Sequence, residues 1–233
     1  MTGADRFEAM GTSHLAMIGI FLVGLPLMVL LGRHARARPQ PVARGFALVL
    51  VAAVLPLQVL DHLPGNFQLG VSLPLQLCDL AALVAVIALW TRNHTAICVT
   101  YLWGLLLTPQ ALVTPALAAD FPDPRFVVFW AMHILVVWAA VFLTFGLGHR
   151  PDWSGYRRTV ALTATWMLVL YPLNLLLGTN YGFVNGKPGT GSLLDLLGPW
   201  PVYLAVEVVI VALVWALMTW PWTRRPAPVR TTD

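Results

Sequence analysis

FVVFWAMHILVVWAAVFLTFGL, residues 126–147, runs for twenty-two residues with a single ionisable side chain, His133. At about 1.5 Å per residue such a helix is about 33 Å long, enough to cross a hydrocarbon layer about 30 Å thick. Outward from it, comparable apolar runs occupy 14–32, 44–63, 73–91, 94–114, 159–178 and 199–221. The chain of 233 residues is 58% hydrophobic and 10% charged, against about 25% charged in a soluble domain, and its mean hydropathy is +0.76. These runs predict an all-α, polytopic membrane protein with seven transmembrane helices. It would form a single domain over 1–222 followed by a disordered cytoplasmic tail, 223–233. Seven spans leave no room for a second, soluble domain. The first span is expected to be retained, because no small-residue cleavage pattern precedes Gly32.

The basic residues sort by side. Arg33, Arg36, Arg38, Arg44, Arg92, Arg150, Arg157, Arg158, Arg224, Arg225 and Arg230 fall on one set of alternate loops. Only Arg6, Arg125 and Lys187 fall on the other. The positive-inside rule then places the N-terminus outside and the C-terminus in the cytoplasm, as expected of a multi-pass protein of the cell membrane. Read this way, the net charge of +4 orients the chain and implies no nucleic-acid partner. Trp200, Trp220 and Trp222 lie near span ends, where an interfacial belt would sit. Pro26, Pro56, Pro109 and Pro172 mark expected kinks.

Polar side chains inside a bilayer are costly, so each needs a reason. Counted from the span ends, they gather at one outer level: His14 opens the first span, Asp61 and His62 close the second, and Gln76, Cys78 and Asp79 open the third. His133 lies about 11 Å deep in the fifth, Glu207 is as deep in the seventh, and Asn174 is a turn from the end of the sixth. Convergence of this kind suits an outward-facing cavity. The connector GTNYGFVNGKPGTGSLLDLLGPWP, 178–201, lies on the same side and supplies Asn180, Tyr181, Asn185 and Lys187. It reads either as a plain loop or as a lid over a bound amphiphile.

Cys78 is in the second turn of its helix, on a small face with Ala82 and Ala85 that suits packing against other helices. A thiol and an imidazole at matching depth can act as nucleophile and base, although His133 also reads as a core histidine. Asp61 reads equally as a helix cap, and Glu207 as protonated or as partnered by His14, His62 or Tyr203. Cys98, near the inner face between Ile97 and Val99, reads as packing material. About 20 Å of bilayer should keep it from pairing with Cys78. No metal is expected. An outer site built from His14, His62, His133, Asp61 and Glu207 would lack the close histidine spacing of strong motifs.

LPLQLCD at 73–79, GTNYGFVNGKP at 178–188 and LLDLLGPWPVYL at 193–204, in that order within seven spans, resemble the YwaF-like family of bacterial integral membrane proteins. That family is similar to an animal transmembrane acyltransferase acting on ether lysophospholipids. More distantly it is similar to androgen-induced hydrolases of fatty-acid esters of hydroxy fatty acids. The resemblance implies a nucleophile early in one helix and a histidine in a later one, here Cys78 and His133. The expected function is therefore a membrane-embedded lipid acyltransferase or acyl-ester hydrolase that works through a Cys78 thioester with His133 as base. Asn174, Asn180 or Gln76 would serve as oxyanion donors. Membrane lipids would be the substrates, no cofactor is required, and the oligomeric state is left open. The alternative is a transporter or receptor that binds a small amphiphile in the same cavity without covalent chemistry. A retinal receptor is excluded, because the seventh span has no lysine.

Overall fold

The computed structural model describes residues 6–189 and 193–224, so most of the tail expected at 223–233 lies outside the described residues. These residues form α1 (Thr12–His34), α2 (Pro39–Asp61), α3 (Leu77–Thr91), α4 (His94–Leu102), α5 (Thr108–Val113), α6 (Pro124–Val141), α7 (Trp153–Leu177) and α8 (Val202–Thr223), with no strand among them. Six continuous helical stretches are long and apolar enough to cross a membrane: Thr12–Ala37, Pro39–Asp61, His94–Val113, Pro124–Gly146, Trp153–Leu177 and Val202–Thr223. The seventh apolar helix, α3, has only 15 residues. Its expected first turn, 73–76, is non-helical. The cause is tertiary: Leu73 N–H donates to the Tyr181 hydroxyl at 3.2 Å, and the Leu75 carbonyl accepts from Trp166 Nε1 at 3.2 Å.

Two stretches are central. In His94–Val113 and Pro124–Gly146, 61% and 67% of the most apolar window is buried, against 11–17% in the other four. Indole N–H groups tie the outer helices to this pair: Trp215 Nε1 donates to the Leu102 carbonyl at 3.0 Å and Trp138 Nε1 to the Phe21 carbonyl at 3.1 Å. Trp103 Nε1 donates to Thr163 Oγ1 at 2.9 Å. Both central stretches contain one wide π turn, Trp103–Leu107 and Phe142–Gly146. At the first, Pro109 has no N–H and its ring clashes with the carbonyl four residues back, so the helix widens and Thr108 N–H bonds to the Trp103 carbonyl instead. The helix carrying Pro109 thus departs from regular geometry as expected, whereas α1, α2 and α7 run through Pro26, Pro56 and Pro172.

Hydrogen bonds define the two ends of the bundle. At one end Arg36 Nε donates to the Gly146 carbonyl at 2.9 Å, Gln40 Nε2 to the Trp90 carbonyl at 2.7 Å and Arg158 Nη1 to Thr95 Oγ1 at 2.9 Å. These join the arginine-bearing ends of α1, α2, α3, α4, α6 and α7. At the opposite end an ion pair of 2.8 Å joins Arg125 to Asp61, and Ser13 Oγ donates to Asp120 Oδ2 at 2.7 Å.

The second π turn sits where α1 crosses the end of α6 backbone to backbone. A Cβ on Gly32 would lie 2.5 Å from Gly146 Cα, whereas one on Gly19 would meet nothing within 4 Å. Gly32→Ala is therefore expected to destabilise the protein by about 1–3 kcal/mol through overpacking. Gly19→Ala on the open face of α1 is expected to be neutral or stabilising, because alanine is the better helix former. Thermal unfolding of both variants in detergent checks this contrast, and equal midpoints would refute the close crossing.

Candidate functional site at the helix ends

Cys78 is the second residue of α3 and is half-buried against the main core. The small face behind it is tightly packed, with Ala81, Ala82, Ala85 and Ala88 all buried, so the face expected to meet other helices does so. Gln76 precedes the helix, and its N–H donates to Asp79 Oδ2 at 3.2 Å. Its side-chain Oε1 accepts from the Gly182 N–H at 2.9 Å. That bond fixes the amide, leaving Gln76 Nε2 as a donor with no protein partner among the described residues. Gly182 has φ +65, and a Cβ there would lie 2.4 Å from Trp166, so glycine is required where the connector meets the start of α3.

The connector is held by its own polar residues. Asn174 is buried and saturated: Nδ2 donates to the Tyr181 carbonyl at 3.0 Å and to Asn185 Oδ1 at 2.8 Å. Its Oδ1 accepts from Thr179 Oγ1 and from the Tyr181 N–H, both at 2.9 Å. Asn180 Nδ2 donates to the Gly186 carbonyl at 2.8 Å, its Oδ1 accepts from the Asn185 N–H at 3.1 Å, and Asn185 Nδ2 donates to the Tyr171 carbonyl at 3.1 Å. The fully buried Tyr181 donates its hydroxyl to the Leu69 carbonyl at 2.6 Å. Burial, opposed by the Leu73 N–H, raises its pKa above the usual phenol range and keeps it a donor. These side chains build a fixed rim: Asn174 has no donor left for an oxyanion, whereas Asn180 keeps one Nδ2 N–H and Gln76 keeps its Nε2. Tyr203 donates its hydroxyl to the Phe183 carbonyl. Lys187 pairs with Asp195 at 3.4 Å and lies over the Tyr203 ring, 5.7 Å from its centroid.

The remaining residues separate into used and free. His14 is buried, accepts from the Met10 N–H at 3.0 Å on Nδ1 and donates from Nε2 to the Leu112 carbonyl at 2.9 Å. Both nitrogens are thus spent on backbone, and His14 closes α1 onto α5. Asp61 is the ion-pair partner of Arg125. His62 is exposed, bonds to the Gln58 carbonyl at 2.7 Å and lines a shallow surface groove with Leu55, Val59 and Leu63. Glu207 is half-buried and has no hydrogen bond or ion pair among the described residues, so the expected pairings with His14, His62 and Tyr203 are not formed.

His133 is buried in α6, and its Nδ1 bonds to the Phe129 carbonyl at 2.7 Å. A carbonyl only accepts, so Nδ1 carries the proton and Nε2 keeps its lone pair, the tautomer a general base needs. Among the described residues no hydrogen bond joins His133 to Cys78. One turn before His133 on α6, Trp130 Nε1 is a buried donor without a partner among the described residues, a group the sequence reading passed over.

The sequence reading also passed over the arginine-rich end. His94 and Cys98, one turn apart on α4, meet Asp152 at the start of α7, and the ligand atoms of all three lie within 4.8 Å of one another. Nearby, burial first and then the charges of Arg92 and His94 hold the pKa of His149 below the usual imidazole range. Cys78 and Cys98 are both free thiols, as their separation across the bundle requires. Neither a curated protein nor a solved structure matches the chain. A family model does match, over residues 9–219 and hence across the spans and the rim described above, and the chain belongs to the TMEM164 family of transmembrane proteins.

Proposed function

We propose that this protein transfers or hydrolyses lipid acyl groups through a thioester on Cys78, with His133 as the base, at the end of the bundle opposite the arginine-rich one. The observation that carries the reading is the tautomer of His133. Its Nδ1–H is fixed on the Phe129 carbonyl, so Nε2 is free to accept a proton in a helix that packs directly against α3. The resemblance of LPLQLCD and GTNYGFVNGKP to the YwaF-like family, and through it to the ether-lipid acyltransferase and the fatty-acid-ester hydrolases, supplies the substrate class. Catalytic hydrogen bonds often form only when substrate binds, so the reading requires the thiol and imidazole to come together in the substrate complex.

In the first step Nε2 takes the Cys78 proton while Sγ attacks the acyl carbonyl carbon of a glycerolipid ester. The tetrahedral oxyanion is met by Gln76 Nε2, and its collapse expels the lipid oxygen, which takes the proton back from the imidazolium. In the second step a lysolipid hydroxyl or water loses its proton to Nε2 and attacks the thioester. Cys78 then leaves as thiolate and regains the proton. Seven crossings, with α3 as the short one, and the arginine-rich end in the cytoplasm would open this site to the outer leaflet of the cell membrane.

Membranes containing the protein are treated with a lipid-like thiol electrophile and the adduct is mapped by peptide mass spectrometry. Modification of Cys78 is expected, and modification of Cys98 alone would sink the thioester mechanism.

A further inference from the structure

We propose that His94, Cys98 and Asp152 form a three-ligand zinc site at the arginine-rich end, with a fourth position open to solvent. The site lies at the other end of the bundle from Cys78 and stands or falls independently of acyl transfer. Its geometry comes from two helix starts. Asn93 caps α4 by accepting from the Ala96 N–H at 3.1 Å, which puts His94 in the first turn and Cys98 directly below it. Asp152 caps α7 through Oδ1, which accepts from the Gly155 N–H at 2.7 Å, so Oδ2 is left to face His94 at 3.7 Å. Cys98 Sγ is 3.8 Å from both His94 ring nitrogens. Gly155 permits the approach of the two helices, because a Cβ there would lie 2.3 Å from Cys98 Sγ.

These separations suit one ion. Zn–S of about 2.3 Å and Zn–N or Zn–O of about 2.0–2.1 Å at tetrahedral angles place S and N about 3.6 Å apart, and N and O about 3.4 Å apart. The two His94 separations, 3.8 and 3.7 Å, need to close by only a few tenths of an ångström, and the Cys98–Asp152 pair, within 4.8 Å, by at most about 1.2 Å. Nε2 is the nitrogen that faces both Cys98 and Asp152, so it is the one that would ligate. A thiolate, an imidazole and a carboxylate are the donor set of a borderline-soft divalent cation and favour Zn²⁺ over Mg²⁺ or Ca²⁺. The thiol is buried, whereas the His94 and Asp152 side chains are 46% and 48% exposed, so an ion enters from water and keeps an open face. Binding releases the thiol proton to solvent and ties α4 to α7.

The test uses the full, untagged chain in detergent, stripped with chelator and titrated with Zn²⁺ against a chromophoric chelator and with Co²⁺ by absorbance. One ion per chain and a thiolate-to-cobalt charge-transfer band are expected. Cys98→Ser should abolish the band, while Cys78→Ser should leave it intact. His94→Gln and Asp152→Asn should each weaken Zn²⁺ binding at least about tenfold. Asparagine still caps a helix, so the second variant separates ligation from folding. No bound ion, a band that survives Cys98→Ser or vanishes in Cys78→Ser, or unchanged affinity in both His94→Gln and Asp152→Asn would overturn the site.

Discussion

Cys78→Ser is expected to lower acyl-transfer turnover by more than about 10²-fold, and His133→Gln by about 10² to 10⁴-fold, while both variants fold and melt close to the parent. Serine matches the thiol in size at a half-buried position, so packing changes little. What it loses is nucleophilicity, since a hydroxyl needs far stronger activation than a thiol. Glutamine fills much of the imidazole volume but has no lone pair of comparable basicity to take the thiol proton. The two residues act in one proton transfer, so their effects should not add. The double variant should fall little below the worse single one, as in other nucleophile and base pairs. The measurement is release of labelled acyl chain from a phospholipid donor by protein in liposomes, with and without a lysophospholipid acceptor. Full turnover in Cys78→Ser would remove the thioester mechanism. Additive losses would mean that His133 serves some other step.

Spans were legible in the sequence because a bilayer demands long apolar runs whatever the tertiary structure. The run 126–147 became Pro124–Gly146, and 44–63 became Pro39–Asp61. The exception is instructive: 73–91 lost its first turn because Tyr181 and Trp166, far along the chain, claim the backbone of Leu73 and Leu75. Depth arithmetic placed the polar residues at one end of the bundle but could not say what each would touch. His14, Asn174, Asn180 and Asn185 spend their hydrogen bonds on backbone and on one another, which a count of residues along a helix cannot show. The cluster at the other end escaped notice for a related reason. His94 and Cys98 do carry a one-turn spacing on α4, but their third member, Asp152, arrives only through the packing of α4 against α7.

Asn174→Ala is expected to cost about 3 kcal/mol or more, since it strands both backbone groups of Tyr181 and each buried unpaired group costs about 1–3 kcal/mol. In a chain of this size that lowers the thermal midpoint by about 6–12 °C. Side-chain hydrogen bonds between spanning helices average much less, about 0.6 kcal/mol, because the groups find other partners when they separate. Asn174 differs in that it holds a connector on which Tyr181 is fully buried, so those backbone groups have no nearby substitute. Asn174→Asp sharpens the test. A carboxylate keeps the two acceptor roles toward Thr179 and the Tyr181 N–H, but it faces the Tyr181 carbonyl and Asn185 Oδ1 with negative charge and no donor. Its midpoint should therefore be as low as that of the alanine variant at neutral pH. It should recover as pH falls, since a protonated carboxyl regains one donor and the folded state then binds the extra proton. The connector also fixes Gln76 through Gly182, so both variants should lose acyl transfer even at temperatures where they remain folded. A midpoint within about 1 °C of the parent for Asn174→Ala, far inside the range such a loss implies, would show that the rim is held by its apolar contacts alone.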